Sequence, residues 1–113
     1  MAWSLVARGA VTSAGNTTAI DVASTNHACI GSFDTMVCST DVFVHRRGVV
    51  RLTDAGTPHP FPPQPPCANH AIVVTDASPT VFANELAVAC HGHNYNGNEN
   101  ISTVNQDNVF ADS

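Results

Sequence analysis

A threefold recurrence is the feature that most narrows what this chain can fold into. The stretches Ser39-Thr40-Asp41-Val42-Phe43-Val44-His45, Ser78-Pro79-Thr80-Val81-Phe82-Ala83-Asn84 and Gln106-Asp107-Asn108-Val109-Phe110-Ala111-Asp112 each place a polar, turn-forming opening before Val-Phe and a small apolar residue. After the first two copies, a turn of two or three residues leads into a second run, Gly48-Val49-Val50-Arg51-Leu52-Thr53-Asp54 and Ala87-Val88-Ala89-Cys90-His91-Gly92-His93. A third version of that run opens the chain as Val6-Ala7-Arg8-Gly9-Ala10-Val11-Thr12. The sequence therefore predicts three β-hairpin units, the last split between the two ends of the chain. Side chains alternate along a strand, so Val42, Val44, Val81 and Ala83 are expected on one face and Phe43, Phe82 and Phe110 on the other. One Phe per unit would then converge on a common axis or pack between units.

The remaining pattern agrees with an all-β chain of one domain, residues 1–113. Val and Thr supply 25 residues in short runs bounded by Ser, Asn, Asp and Gly, as short strands and turns require. No stretch keeps a helical period without interruption. Long loops are expected over 13–38, 55–71 and 94–103, with 94–100 a polar loop rich in turn formers. Six of the seven prolines fall between Thr57 and Cys67, which makes that loop stiff and extended, laid over a surface.

Charge excludes two partner classes. There are four arginines, no lysine and a formal net charge of -5, whereas nucleic acids and anionic membranes are bound through clustered Lys and Arg. Apolar runs such as Ala71-Ile72-Val73-Val74 are far short of the roughly 20 residues that cross a bilayer. Residues 1–8 lack the basic and long apolar regions of a secretory signal, so synthesis in the cytoplasm is expected.

Six histidines and four cysteines decide where to look for chemistry. Two windows concentrate metal donors: His27-Ala28-Cys29, and the stretch from His59 through Cys67 to His70. Imidazole and thiolate are the donors that suit tetrahedral zinc; loop histidines and buried free thiols are the plainer reading. His91 and His93 flank Gly92 at a strand end, as a second metal site or a solvated pair. His45, at a hairpin turn, is expected to face water, and Cys38 and Cys90 to act as small apolar side chains. Four cysteines also allow two disulfides in three pairings, as in an extracellular binding module. No Gly-x-Ser-x-Gly or His-Glu-x-x-His occurs, so no enzyme is expected, the alternative being a small zinc hydrolase using His59, His70 and His91 or His93.

Ser78-Pro79-Thr80-Val81-Phe82-Ala83-Asn84 followed by Ala87-Val88-Ala89, with Asp41-Val42-Phe43-Val44 and Asn108-Val109-Phe110-Ala111, resembles the PAAR-repeat proteins, the tips of phage tail spikes and of contractile injection and secretion systems. The resemblance covers residues 24–112, and 1–23 match loosely. The family's Asn-Gly turn is His45-Arg46 and Asn84-Glu85 here, and its Pro-Ala-Ala-Arg stretch is approximated by Gly48-Val49-Val50-Arg51. The resemblance implies a cone of three pseudo-repeats, stapled by one Zn2+ held by three histidines and a cysteine. These fall on His27, His59, Cys67 and His70, with Cys29 the competitor for the thiolate. It further implies a structural protein of a virion tail tip or injection apparatus. One such chain would sit by its broad base on a trimeric β-helical spike protein and make transient contact with a target cell envelope. No nucleic acid or small-molecule substrate is implied.

Overall fold

The computed structural model describes residues 3–13, 19–25, 32–56, 72–96 and 99–112. These residues are all-β, without a helix. In chain order the strands are β1 (Trp3–Leu5), β2 (Arg8–Thr12), β3 (Val22–Thr25), β4 (Ser32–Asp34), β5 (Phe43–Val44), β6 (Arg47–Val49), β7 (Phe82–Ala83), β8 (Leu86–Ala87), β9 (Asn94–Tyr95), β10 (Glu99–Thr103) and β11 (Phe110–Asp112). They pair as four small sheets: β1-β11, β4-β3-β10-β9, β2-β6-β5 and β7-β8.

The three hairpins of the repeat are present. β5 and β6 are joined at His45-Arg46, and β7 and β8 at Asn84-Glu85. Both central residues of each turn have positive φ, 47° and 66° in the first and 53° and 68° in the second. That pairing gives the twist a two-residue hairpin needs. In the third unit β11 pairs antiparallel with β1, Leu5 opposite Phe110 and Trp3 opposite Asp112, so the hairpin is completed by the two ends of the chain. Its register corrects the expected third copy by one residue. Val6 N–H donates to Val109 O at 3.0 Å, as Val49 does to Val42 and Val88 to Val81. The copy therefore starts at Leu5 rather than Val6, and Val6 aligns with Val49 and Val88. With a side-chain period of two, that single step exchanges the faces of the strand.

Each unit opens on the same local device. Ser39 Oγ accepts the N–H groups of Asp41 and Val42, Ser78 Oγ those of Thr80 and Val81, and Gln106 Oε1 those of Asn108 and Val109. These are side-chain turns that tie off backbone donors before the strand begins. Ser39 and Ser78 also send their own N–H to Val49 O and Val88 O. Gln106 reproduces that bond with its side-chain amide, Nε2 donating to Val6 O at 3.1 Å.

The units close on one another through a ring of three main-chain hydrogen bonds. Ala7 N–H donates to Ala89 O (3.0 Å), Ala89 N–H to Val50 O (2.8 Å) and Val50 N–H to Ala7 O (2.9 Å). Antiparallel pairs surround the ring in the same cyclic order: Val6 with Cys90, Val88 with Arg51, Val49 with Arg8. A second ring is made by side chains one hairpin turn away. The His45 ring lies 2.5 Å from Asn108 Oδ1, Asn84 Nδ2 donates to Asp41 Oδ1 at 2.7 Å, and Asp112 Oδ1 accepts from Ser78 Oγ at 2.7 Å and from Thr80. Side-chain hydrogen bonds from Thr80 and Ser78 hold the Asp112 carboxyl below its usual range.

Small side chains at the ring explain why the phenylalanines are elsewhere. Ala7, Val50 and Ala89 are fully buried, and three backbones this close leave no room for three phenyl rings. Phe43, Phe82 and Phe110 instead lie outside, 38%, 59% and 51% exposed. Ala83 and Ala111 take the inner face with Val6, Val49, Val88 and Cys90, with Val44 packed against them. The expected long loops are also partly strand. β3 and β4 form within 13–38, and β9 and β10 make a hairpin where 94–103 reads as loop. These strands are rich in Ser, Thr and Asn, and they are set by pairing across sectors, including Ser24 Oγ donating to Ser102 Oγ at 2.6 Å.

Candidate functional site

Beyond the ring each sector has a side chain folded back onto the strand, from a short turn at Asp54 and at His93 and from thirteen residues along the chain at Asp21. Asp21 Oδ2 accepts the N–H of Arg8 at 2.7 Å, and Asp54 Oδ2 that of Arg51 at 2.9 Å. In the third sector His93 Nδ1 accepts the N–H of Cys90 at 2.9 Å. Two stations are thus salt-bridged. Arg8 Nη2 meets Asp21 Oδ1 at 3.0 Å with both side chains fully buried, and Asp21 takes the Asn105 N–H as well. Arg51 Nε meets Asp54 Oδ2 at 2.9 Å at a partly exposed position. The hydrogen bonds it donates to the Asp54 carboxylate push the Arg51 guanidinium pKa up. Burial pushes the His93 imidazole down, against the pull of the Asp76 charge.

Past the stations the three sectors remain in step. Thr35, Val74 and Ile101 donate their N–H groups to the carbonyls of Asp21, Asp54 and His93 at 3.2, 2.9 and 2.9 Å. Ala23 pairs with Phe33, Ala55 with Val73, and Tyr95 with Glu99. The sectors join again through Ala23 opposite Ile101, Tyr95 opposite Val74, and Val37 N–H donating to Ala55 O. Their meeting point is tightly filled. Phe33 and Tyr95 stack edge to face with centroids 5.3 Å apart, and a Cβ on Gly56 would lie 2.7 Å from Phe33 Cε2 and 2.8 Å from Ile72 Cδ1. Tyr95 is the one large residue beside Ala23 and Gly56 at these equivalent positions, and its buried hydroxyl has no hydrogen-bond partner among the described residues.

This layer anchors the segments that carry the predicted metal ligands. Segment 26–31 joins β3 to β4, 57–71 joins Gly56 to Ile72, whose N–H and C=O meet at 3.1 Å, and 97–98 lies between β9 and β10. His27 belongs to the first segment, with Cys29, and His59, Cys67 and His70 belong to the second. All five lie outside the described residues. Among the described residues, no three His, Cys, Asp or Glu side chains gather as a metal site.

The other histidines and cysteines are placed by the structure. His91 is exposed, with Nε2 3.1 Å from Ser102 O, while His93 is buried. They are therefore not a solvated pair, and the Nδ1 lone pair of His93 is already taken by the Cys90 N–H. The sequence held the signal for this role: Arg51-x-x-Asp54 and Cys90-x-x-His93 share one spacing within the repeat. His45 is exposed, as expected, but is also one of the three clasps. Cys38 and Cys90 are free and buried, so a framework of two disulfides is not formed. Burial raises both thiol pKa values, that of Cys90 to about 11, which leaves them protonated and unreactive near neutrality.

No protein-family model matches the sequence, and a search of curated proteins finds no match.

Proposed function

We propose that the chain is the zinc-stapled tip of a membrane-piercing spike, of a phage tail or a contractile injection system, seated as one copy on a trimeric β-helical spike protein. The closed ring of Ala7, Val50 and Ala89 hydrogen bonds is the observation that carries this reading. It gives a single polypeptide the threefold-like cross-section that a trimeric end face requires, without needing three chains.

Two further features support it. At the hairpin end, Phe43, Phe82 and Phe110 repeat as exposed apolar side chains around that cross-section, with Val42 and Val81 exposed beside them. Buried aromatic anchors dominate protein docking energetics, and equivalent anchors on each sector suit a partner with three equivalent subunits. At the other end, the segments bearing His27, His59, Cys67 and His70 are anchored around one packed layer. Three imidazoles and one thiolate form a donor set that fits tetrahedral Zn2+ with no position left for water, as in structural rather than hydrolytic sites. Bound zinc would cross-link two segments that offer little apolar side chain for packing, and this chain's own residues would supply every ligand.

The test is assembly with a recombinant trimeric β-helical spike protein from the same source, read by light scattering. One chain per trimer is expected, and conversion of Phe43, Phe82 and Phe110 to Ser should abolish the complex while leaving the fold intact. Absence of binding, or three chains per trimer, would overturn the reading.

A further inference from the structure

Three equivalent stations hold the three sectors, and one of them uses a different kind of acceptor. Asp21 and Asp54 accept through carboxyl oxygens, which carry acceptor lone pairs in either protonation state. His93 accepts the Cys90 N–H through Nδ1 only while its ring is neutral, because imidazolium is a donor at both nitrogens. The bond is buried, and it secures the turn from which Gly92 N–H and His93 O pair with Ile101 of β10.

We propose that the Cys90–His93 turn is an acid-operated latch: protonation of His93 removes the acceptor of the Cys90 N–H and opens this sector while the Arg8–Asp21 and Arg51–Asp54 sectors stay closed. The charged and titratable groups on the segments about the latch are Asp76 on residues 72–80, Glu99 on β10, Cys90 and His91 on the turn itself, and Asp112 on β11, which acts on the Cys90 thiol. Asp76 favours the imidazolium and burial opposes it more strongly. The sign follows from linkage. The closed state binds the proton less readily than the open one, so closure is favoured above about pH 6.5, the ordinary imidazole value. It weakens as pH falls from there toward the lower value of the closed state. One pH unit below 6.5, the imidazolium of the open state outnumbers its neutral form about tenfold, which is the upper bound of the effect.

The latch is independent of zinc, and the experiment separates the two. Amide hydrogen exchange is measured by NMR at pH 7.5 and 5.5, with each rate divided by its intrinsic value, for the N–H groups of Cys90, Arg8 and Arg51 in one sample. Protection at Cys90 should fall by more than about twofold and by up to about tenfold, with less than about twofold change at Arg8 and Arg51. His93→Asp, which installs the acceptor used at the other stations, should abolish the difference, and His93→Asn gives the same readout should the Asp variant fold poorly. Equal loss at all three amides, as acid release of a metal would produce, overturns the latch. Unchanged protection at Cys90 overturns it too.

Discussion

The hairpin units and the segments that carry the proposed metal donors differ in what their sequences offer for holding them. Around the hairpins and the ring, closure comes from main-chain hydrogen bonds, the three side-chain contacts of the second ring and a small apolar cluster of repeat residues. Segments 26–31 and 57–71 contain Ile30 and Phe61 as their large apolar residues, beside six prolines and five His or Cys side chains. A chain of this size buries limited apolar surface, so under the proposed reading segments with so few large apolar side chains would depend on a cross-link. The comparison teaches that the fold and the proposed staple are separable: the ring sets where the segments start and end, and the metal would hold what lies between.

Separability is broken or sharpened first by Asp21→Ala. It removes a carboxylate that serves the Arg8 backbone, the Arg8 guanidinium and Asn105 together, and with it the buried ion pair of Arg8 with Asp21. The expected cost is about 3–5 kcal/mol by urea unfolding. The same cost with and without a chelator keeps the two ends independent, and a large difference couples them. Gly48→Ala comes next: its Cβ would lie 2.0 Å from Ser39 O and 2.8 Å from Cys38 Sγ. Backbone must move, and a loss of about 1–3 kcal/mol is expected from thermal unfolding. Arg46→Gly acts in the opposite direction, because Arg46 occupies φ 66° in its turn. Relief of the left-handed conformation should raise stability by about 1 kcal/mol. The smallest effect belongs to Phe82→Ser, at an exposed side chain, with a change within about 0.5 kcal/mol; its consequence should appear in assembly with the spike instead.

How much the sequence revealed follows the same division. The hairpins, their two-residue turns and the unit split between the chain ends were legible, because Val-Phe after a polar opening recurs at each site. The third copy slips by one residue because no two-residue turn joins β11 to β1, so the register is set only by pairing, Leu5 opposite Phe110. β3 and β10 were not legible: Val22-Ala23-Ser24-Thr25 and Glu99-Asn100-Ile101-Ser102-Thr103 owe their conformation to cross-sector pairing rather than to apolar alternation. The outward phenylalanines were missed for a packing reason, the narrowness of an axis lined by Ala7, Val50 and Ala89. Of the candidate site, residue chemistry alone was readable. His27, His59, Cys67 and His70 were singled out as donors, and the structure contributes the anchoring of their segments around Phe33, Ile72 and Tyr95.

The central claim is that one zinc per chain staples the segments above the ring. Elemental analysis of the purified protein, paired with Tm before and after chelation, tests it most directly. The account predicts one zinc per chain and a Tm lowered by at least about 10 °C on chelation, which for a domain of this size corresponds to a few kcal/mol. Cys67→Ser should match the chelated protein, and Cys29→Ser should match the zinc-loaded one. A metal-free chain with an unchanged Tm would contradict the account.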